Sequence, residues 1–172
     1  MEDLCDACGY DARTWDTATV ADLIEVRAAR ITALLEGAGD AARRRPSADV
    51  WSPAEYAGHV GDALRYHRYL LNRGRAEDRP RLDVPDPDAT EVVAAYADLD
   101  AGAGAALARE QAARTAALVR DLPVADLGRR IDQGDRVLDL ALVMRSAGHE
   151  IHHHAGDIAA GLGSPGPAAA PP

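Results

Sequence analysis

From residue 20 onward, Val20, Leu23, Ile24, Arg27, Ile31, Leu34 and Leu35 recur at i, i+3, i+4 spacing, the period of one helical face. This rhythm predicts a helix over about 20–36, stopped at Gly37 or Gly39. Thr19-Val20-Ala21-Asp22 at its start resembles a capping box with Asp in place of Glu. A second start stands at Trp51-Ser52-Pro53-Ala54-Glu55. Ser52 can cap, Pro53 suits the first helical position and Glu55 can reach back to the cap. Tyr56, His59, Val60, Ala63, Leu64, His67, Leu70 and Leu71 carry this helix to about Arg73, where Gly74 can end it. Pro80, Pro85 and Pro87 forbid a continuous helix over 75–90, which reads as a long crossover loop.

A short helical turn is expected near 89–98 and a third long helix over about 101–121, with Leu107, Leu118, Val119 and Leu122 as its larger apolar residues. Residues 123–138 read as an irregular connection with a turn signal at Gln133-Gly134-Asp135. Asp139 can cap a last helix over about 140–161. Residues 1–17 read as an irregular arm, and the Pro- and Ala-rich stretch 163–172 as a disordered tail. Four principal helices, one long crossover and no convincing strand make an all-α four-helix bundle, a single domain over 1–162.

Composition agrees with that architecture. Ala supplies much of the 47% apolar fraction and Phe is absent, which favours closely approaching helices. The net charge of −9, with arginines scattered among carboxylates, excludes a nucleic-acid partner that needs a basic stripe. Arg43-Arg44-Arg45, the one basic cluster, reads as a solvated connection. Lys is missing altogether, a bias that points to a high-GC genome. No apolar stretch approaches the ~20 residues of a membrane span, and no secretory pattern opens the chain. A protein of the cytoplasm, without a membrane partner, is expected.

The chemistry-bearing segment is His149-Glu150-Ile151-His152-His153-His154. On a helix His149 and His153 return to one face roughly 6 Å apart along the axis, so two imidazoles can converge on one divalent ion such as zinc or nickel. A third ligand must come from elsewhere, and His59 and His67 are the remaining histidines. His59 is favoured because its neighbours are small and apolar. Three histidines with a position left open suit a catalytic ion. Asp62, one turn after His59, could hold its imidazole N–H; Tyr56, Tyr66 and Arg145 are further candidate pocket groups. Residues 149–153 spell H-E-x-x-H, but Glu150 should project about 100° from His149, so no zincin-type general base is expected.

Cys5 and Cys8 form C-x-x-C-G. Three readings stand open: a structural zinc half-site completed by histidine or by a partner subunit, plain reduced thiols, and a disulfide or redox pair.

The stretch from Trp51 to Asp62 resembles the second-helix signature of DinB-like proteins. His149-Glu150-Ile151-His152-His153, followed by Ala155-Gly156-Asp157-Ile158, resembles their final-helix H-x-x-x-H signature. The C-x-x-C-G arm is similar to an actinobacterial branch of that superfamily. The resemblance spans about 1–162. It implies an up-up-down-down bundle, usually a homodimer, with a zinc- or nickel-type ion on His59, His149 and His153. It further implies an enzyme of the thiol S-transferase type, joining a low-molecular-weight thiol, mycothiol as the candidate co-substrate, to an electrophilic small molecule. A thiol-independent isomerase, cyclase or hydrolase and a non-catalytic binding bundle are the alternatives. His152 and His154 crowd the motif, so its register could shift by one.

Overall fold

A computed structural model of the chain describes residues 3–86 and 89–166. The expected helices are present. Helix α1 spans Thr17–Glu36, α2 Pro53–Ala76, the short α3 Thr90–Ala97, α4 Ala101–Arg120 and α5 Leu140–Gly161. Carboxylates begin three of them: Asp16, Asp100 and Asp139 each accept from the backbone amide three residues on. Such a cap satisfies an amide that the first helical turn leaves without a partner. The cap of α1 is therefore Asp16, three residues before the capping box expected at Thr19. In α2 the reciprocal box is complete, Ser52 accepting from the Glu55 amide and Glu55 from the Ser52 amide. Gly74 does not stop α2. A Cβ there would lie 2.6 Å from the Leu140 side chain, so the glycine lets α2 and α5 approach.

Helix α1 packs against α4 and α5, and α2 packs against the same two, which places α1 and α2 on one diagonal of the bundle. Val20 lies beside Gly148 and Arg27 beside His152, so α1 runs with α5. Pro53 meets Gly161, His59 meets Glu150 and Gly74 meets Leu140, so α2 runs against α5. Ala54 meets Gly104 and Arg68 meets Gln111, so α2 runs with α4. In chain order the long helices thus run up, down, down, up. This corrects the up-up-down-down order implied by resemblance, while the four-helix bundle stands. The parallel pair α2 and α4 is what requires the long crossover.

Strands appear where none was expected. Strands β1 (Leu4–Cys5) and β2 (Tyr10–Asp11) pair antiparallel within the arm. In the crossover, β3 (Arg81–Leu82) pairs parallel with β4 (Arg130–Gln133), and β4 pairs antiparallel with β5 (Arg136–Asp139) around Gly134. These strands hide in the sequence because each contributes few apolar positions: Leu82, Ile131 and Leu138 are buried among polar neighbours. The three-stranded sheet closes one end of the bundle, where a Cβ on Gly74 would also meet Ile131. Of the expected tail, 167–172 lie outside the described residues. Its first residues are hydrogen-bonded, the Ser164 amide to the Ala159 carbonyl at 2.9 Å and Arg30 to the Pro165 carbonyl at 3.3 Å.

Candidate metal centre and the adjoining cavity

Successive residues of α5 point about 100° apart, and the run 149–154 uses that rotation to serve two different neighbours. Glu150 and His154, one turn apart, face α2. Glu150 Oε2 lies 3.7 Å from His59 Nε2 and 3.6 Å from His154 Nε2. One donor atom from each of these three residues falls within 4.8 Å of the others. Trp51 packs against His59 at a tilt, with ring centroids 5.2 Å apart, and Tyr56 stacks on His154 at 5.3 Å. Asp157 Oδ2 accepts from His154 Nδ1 at 2.8 Å, which leaves Nε2 to face Glu150.

The electrostatics follow from this clustering. Burial alone would raise the Glu150 carboxyl, but the neighbouring His154 and His59 imidazoles hold it far below the usual carboxylate range. Burial alone would lower His154, yet the Asp157 and Glu150 carboxylates raise it to about 9. Two imidazoles and one carboxylate converging on one point form a donor set that fits a divalent cation of the zinc or nickel type.

Beside this cluster lies a cavity of about 810 Å³, with His59 and Glu150 in its wall. Its lining also includes Tyr66, His67, Tyr96 and Arg136. The terminal sheet shapes one side: Gln133 donates to the Tyr66 hydroxyl at 2.7 Å. His67 is fully buried, and its Nδ1–H donates to the Ala63 carbonyl at 2.7 Å. That bond leaves Nε2 as an acceptor, and Nε2 has no hydrogen-bond partner among the described residues. Burial lowers the His67 pKa and keeps the ring neutral.

The adjacent face of the run meets the arm. His149 and His153, with ring centroids 5.3 Å apart, group with Cys5 and Cys8, one donor atom of each within 4.8 Å of the rest. Both cysteines are thiols rather than a disulfide. Burial pushes the Cys8 thiol up to about 11, the opposite of what a reactive redox cysteine needs.

A DinB superfamily model matches residues 22–158. The chain belongs to the DinB superfamily. Among solved structures it is similar to YfiT from Bacillus subtilis, described as a probable metal-dependent hydrolase with an unusual four-helix bundle topology. The TM-score is 0.70 at 18% identity, over 87% of this chain and 89% of that one. No curated protein matches. No described helix is long and apolar enough to cross a membrane.

This DinB-superfamily chain distributes the expected ligands differently from the H-x-x-x-H reading. His149 and His153 come together, but His59 stands in the other group, with Glu150 and His154. His67, the alternative third ligand, belongs to neither group. Sequence reasoning passed over Glu150 because it projects away from His149; that same projection carries it to His59. Asp62 accepts from the Tyr96 hydroxyl at 3.0 Å and pairs with Arg65 at 2.9 Å, rather than holding His59. Of the other candidates, Tyr56 packs on His154, Tyr66 lines the cavity, and Arg145 braces the arm through the Trp15 carbonyl and Asp3. In the Arg43-Arg44-Arg45 cluster, Arg45 pairs with the buried Glu55.

Proposed function

We propose that this protein is a divalent-metal-dependent enzyme acting on a small electrophilic molecule. The ion would be held by His59, Glu150 and His154, and the substrate by the adjoining cavity. The observation that carries the reading is the placement of His59 and Glu150 in the wall of that cavity. A buried three-donor set with no space beside it would suit a structural ion; one opening on about 810 Å³ suits a site that admits a substrate. An ion bound there supplies Lewis-acid chemistry, lowering the pKa of a bound nucleophile and polarising the electrophile.

The chain's own residues set the rest. Asp157 fixes the tautomer of His154, and Trp51 packs against the His59 ring. Neutral His67, in the cavity lining, is the candidate acceptor for a substrate proton. Arg136 in the lining supplies a cationic group for an anionic part of the substrate.

Two nucleophiles fit the reading. A low-molecular-weight thiol of the mycothiol type is the one that resemblance supports, making the protein a thiol S-transferase. Water is the second, supported by the description of YfiT and by the donor set of two histidines and a glutamate, which recurs in hydrolytic zinc sites. Incubating the zinc-loaded protein with an electrophile panel, with and without thiol, separates them. Thiol consumption dependent on both metal and Glu150 supports transfer, and thiol-independent product supports hydrolysis. Metal binding with neither activity would make the protein a binding bundle.

A further inference from the structure

The arm carries a second set of donors that the cavity does not use. Cys5 ends β1 and Cys8 lies in the turn before β2, where Gly9 takes φ +71°. Only glycine adopts that conformation without strain, and it turns the chain back so that both cysteines face α5. The Cys5 Sγ lies 3.8 Å from His153 Nδ1. Ligands at ~2.3 Å (sulfur) and ~2.0 Å (nitrogen) around a tetrahedral ion stand roughly 3.5 Å apart. The observed spacing is close to that, and one donor atom from each of Cys5, Cys8, His149 and His153 lies within 4.8 Å of the others.

The surroundings hold these four residues in register. His152 accepts from Arg27 Nε at 3.2 Å through Nδ1, so its Nε2–H donates to the Cys8 carbonyl, also at 3.2 Å. Tyr10 is wholly buried and donates to the Arg145 carbonyl at 2.7 Å. Its ring packs on His149 and His152, with centroids 5.4 and 5.6 Å away. The arm is thus pinned on either side of the cysteines to the helix that carries the two histidines.

We propose that Cys5, Cys8, His149 and His153 form a second, structural zinc site that fastens the N-terminal arm to α5, separate from the His59, Glu150 and His154 centre. Two thiolates and two neutral imidazoles balance the charge of one zinc ion, and closing the site releases the two thiol protons to solvent. All four positions of a tetrahedral ion are filled by protein, as in structural rather than catalytic zinc. Neighbouring residues of one helical run therefore serve two ions.

The test uses the full-length protein loaded with zinc, and separately with cobalt(II). Zinc content should reach two equivalents per chain, and the cobalt form should show thiolate-to-cobalt charge transfer in the near ultraviolet. The double variant Cys5→Ser/Cys8→Ser should lose one equivalent and the charge-transfer band. His154→Ala should lose one equivalent and keep the band. If the cysteine variant fails to fold, the wild-type protein decides the matter: its thiols should resist a disulfide-exchange reagent until the metal is chelated. A wild-type cobalt form without thiolate absorption overturns the site. So does an intramolecular disulfide in freshly purified protein, or an undiminished zinc count in a folded cysteine variant.

Discussion

Asp157 and His154 stand three residues apart on α5, and the carboxylate accepts from His154 Nδ1 at 2.8 Å, so the ring presents Nε2 toward Glu150 and His59. Carboxylate–histidine pairs of this kind orient a metal-binding ring and raise its basicity. The same oxygen lies 3.8 Å from His153 Nε2, so it also neighbours the Cys5 and Cys8 cluster. Asp157→Ala is expected to weaken zinc binding at the His59, Glu150 and His154 centre about 10- to 100-fold. Competition against a chelator of known affinity measures this, with helical circular dichroism confirming the fold. An unchanged affinity would mean that Asp157 merely packs.

Gly148 tests how tightly the arm is seated. A Cβ there would come within 2.5 Å of the Tyr10 hydroxyl oxygen and 3.3 Å of Val20. The hydroxyl cannot move aside cheaply, because it ends a rigid buried ring that is hydrogen-bonded to the Arg145 carbonyl. Gly148→Ala should therefore destabilise the protein by about 1–3 kcal/mol despite its better helix propensity. Thermal unfolding would read the loss. Hydrogen exchange should place it in residues 3–16, and a more stable variant would contradict this packing.

The sequence made the helices legible because their caps and apolar faces are local features, as at Ser52 and Asp139. The ligand register was less so. With histidine at 149, 152, 153 and 154, the run offers imidazoles to several directions, and i, i+4 spacing holds equally for His149/His153 and Glu150/His154. What divides them is tertiary: the arm meets one face and α2 the other. A usable signal did exist. A C-x-x-C pair has room for two further donors, and grouping His149 and His153 with it leaves Glu150 and His154 to group with His59. Strand β3 was hidden for a further reason, since pairing Arg81–Leu82 with Arg130–Gln133 is non-local.

Glu55, one turn before His59 on α2, gives a pH dependence of stability. Burial would raise its carboxyl, but the Arg45 guanidinium and the Ser52 amide outweigh that and lower it below the ordinary value of 4.5. A carboxyl depressed in the folded state contributes stability above its unfolded pKa. That contribution is lost as pH falls through the folded value, because the unfolded chain then binds the proton more readily. Glu55→Gln should cost about 1–3 kcal/mol at neutral pH. It should also flatten the fall in stability below the unfolded carboxylate pKa. Urea titrations across acidic pH measure both, and parallel curves for the two proteins would exclude the linkage.

His67 separates a chemical role from a packing role. If its imidazole only filled space, His67→Leu would leave every property nearly unchanged. The Ala63 carbonyl keeps its helical partner, the residue-67 amide, and the buried Nε2 without a partner is removed. Stability should accordingly change by no more than about 1 kcal/mol. Metal content should not change, since His67 belongs to neither donor group. A ring placed in the cavity wall to handle a substrate proton predicts a different third result: kcat falls by about 10²-fold or more while the fold and the metal are retained. Restoring a hydrogen-bonding group with His67→Gln should recover substrate binding, read as KM, but not kcat, because an amide cannot take up the proton. Full activity in His67→Leu would show that the buried nitrogen has no part in turnover.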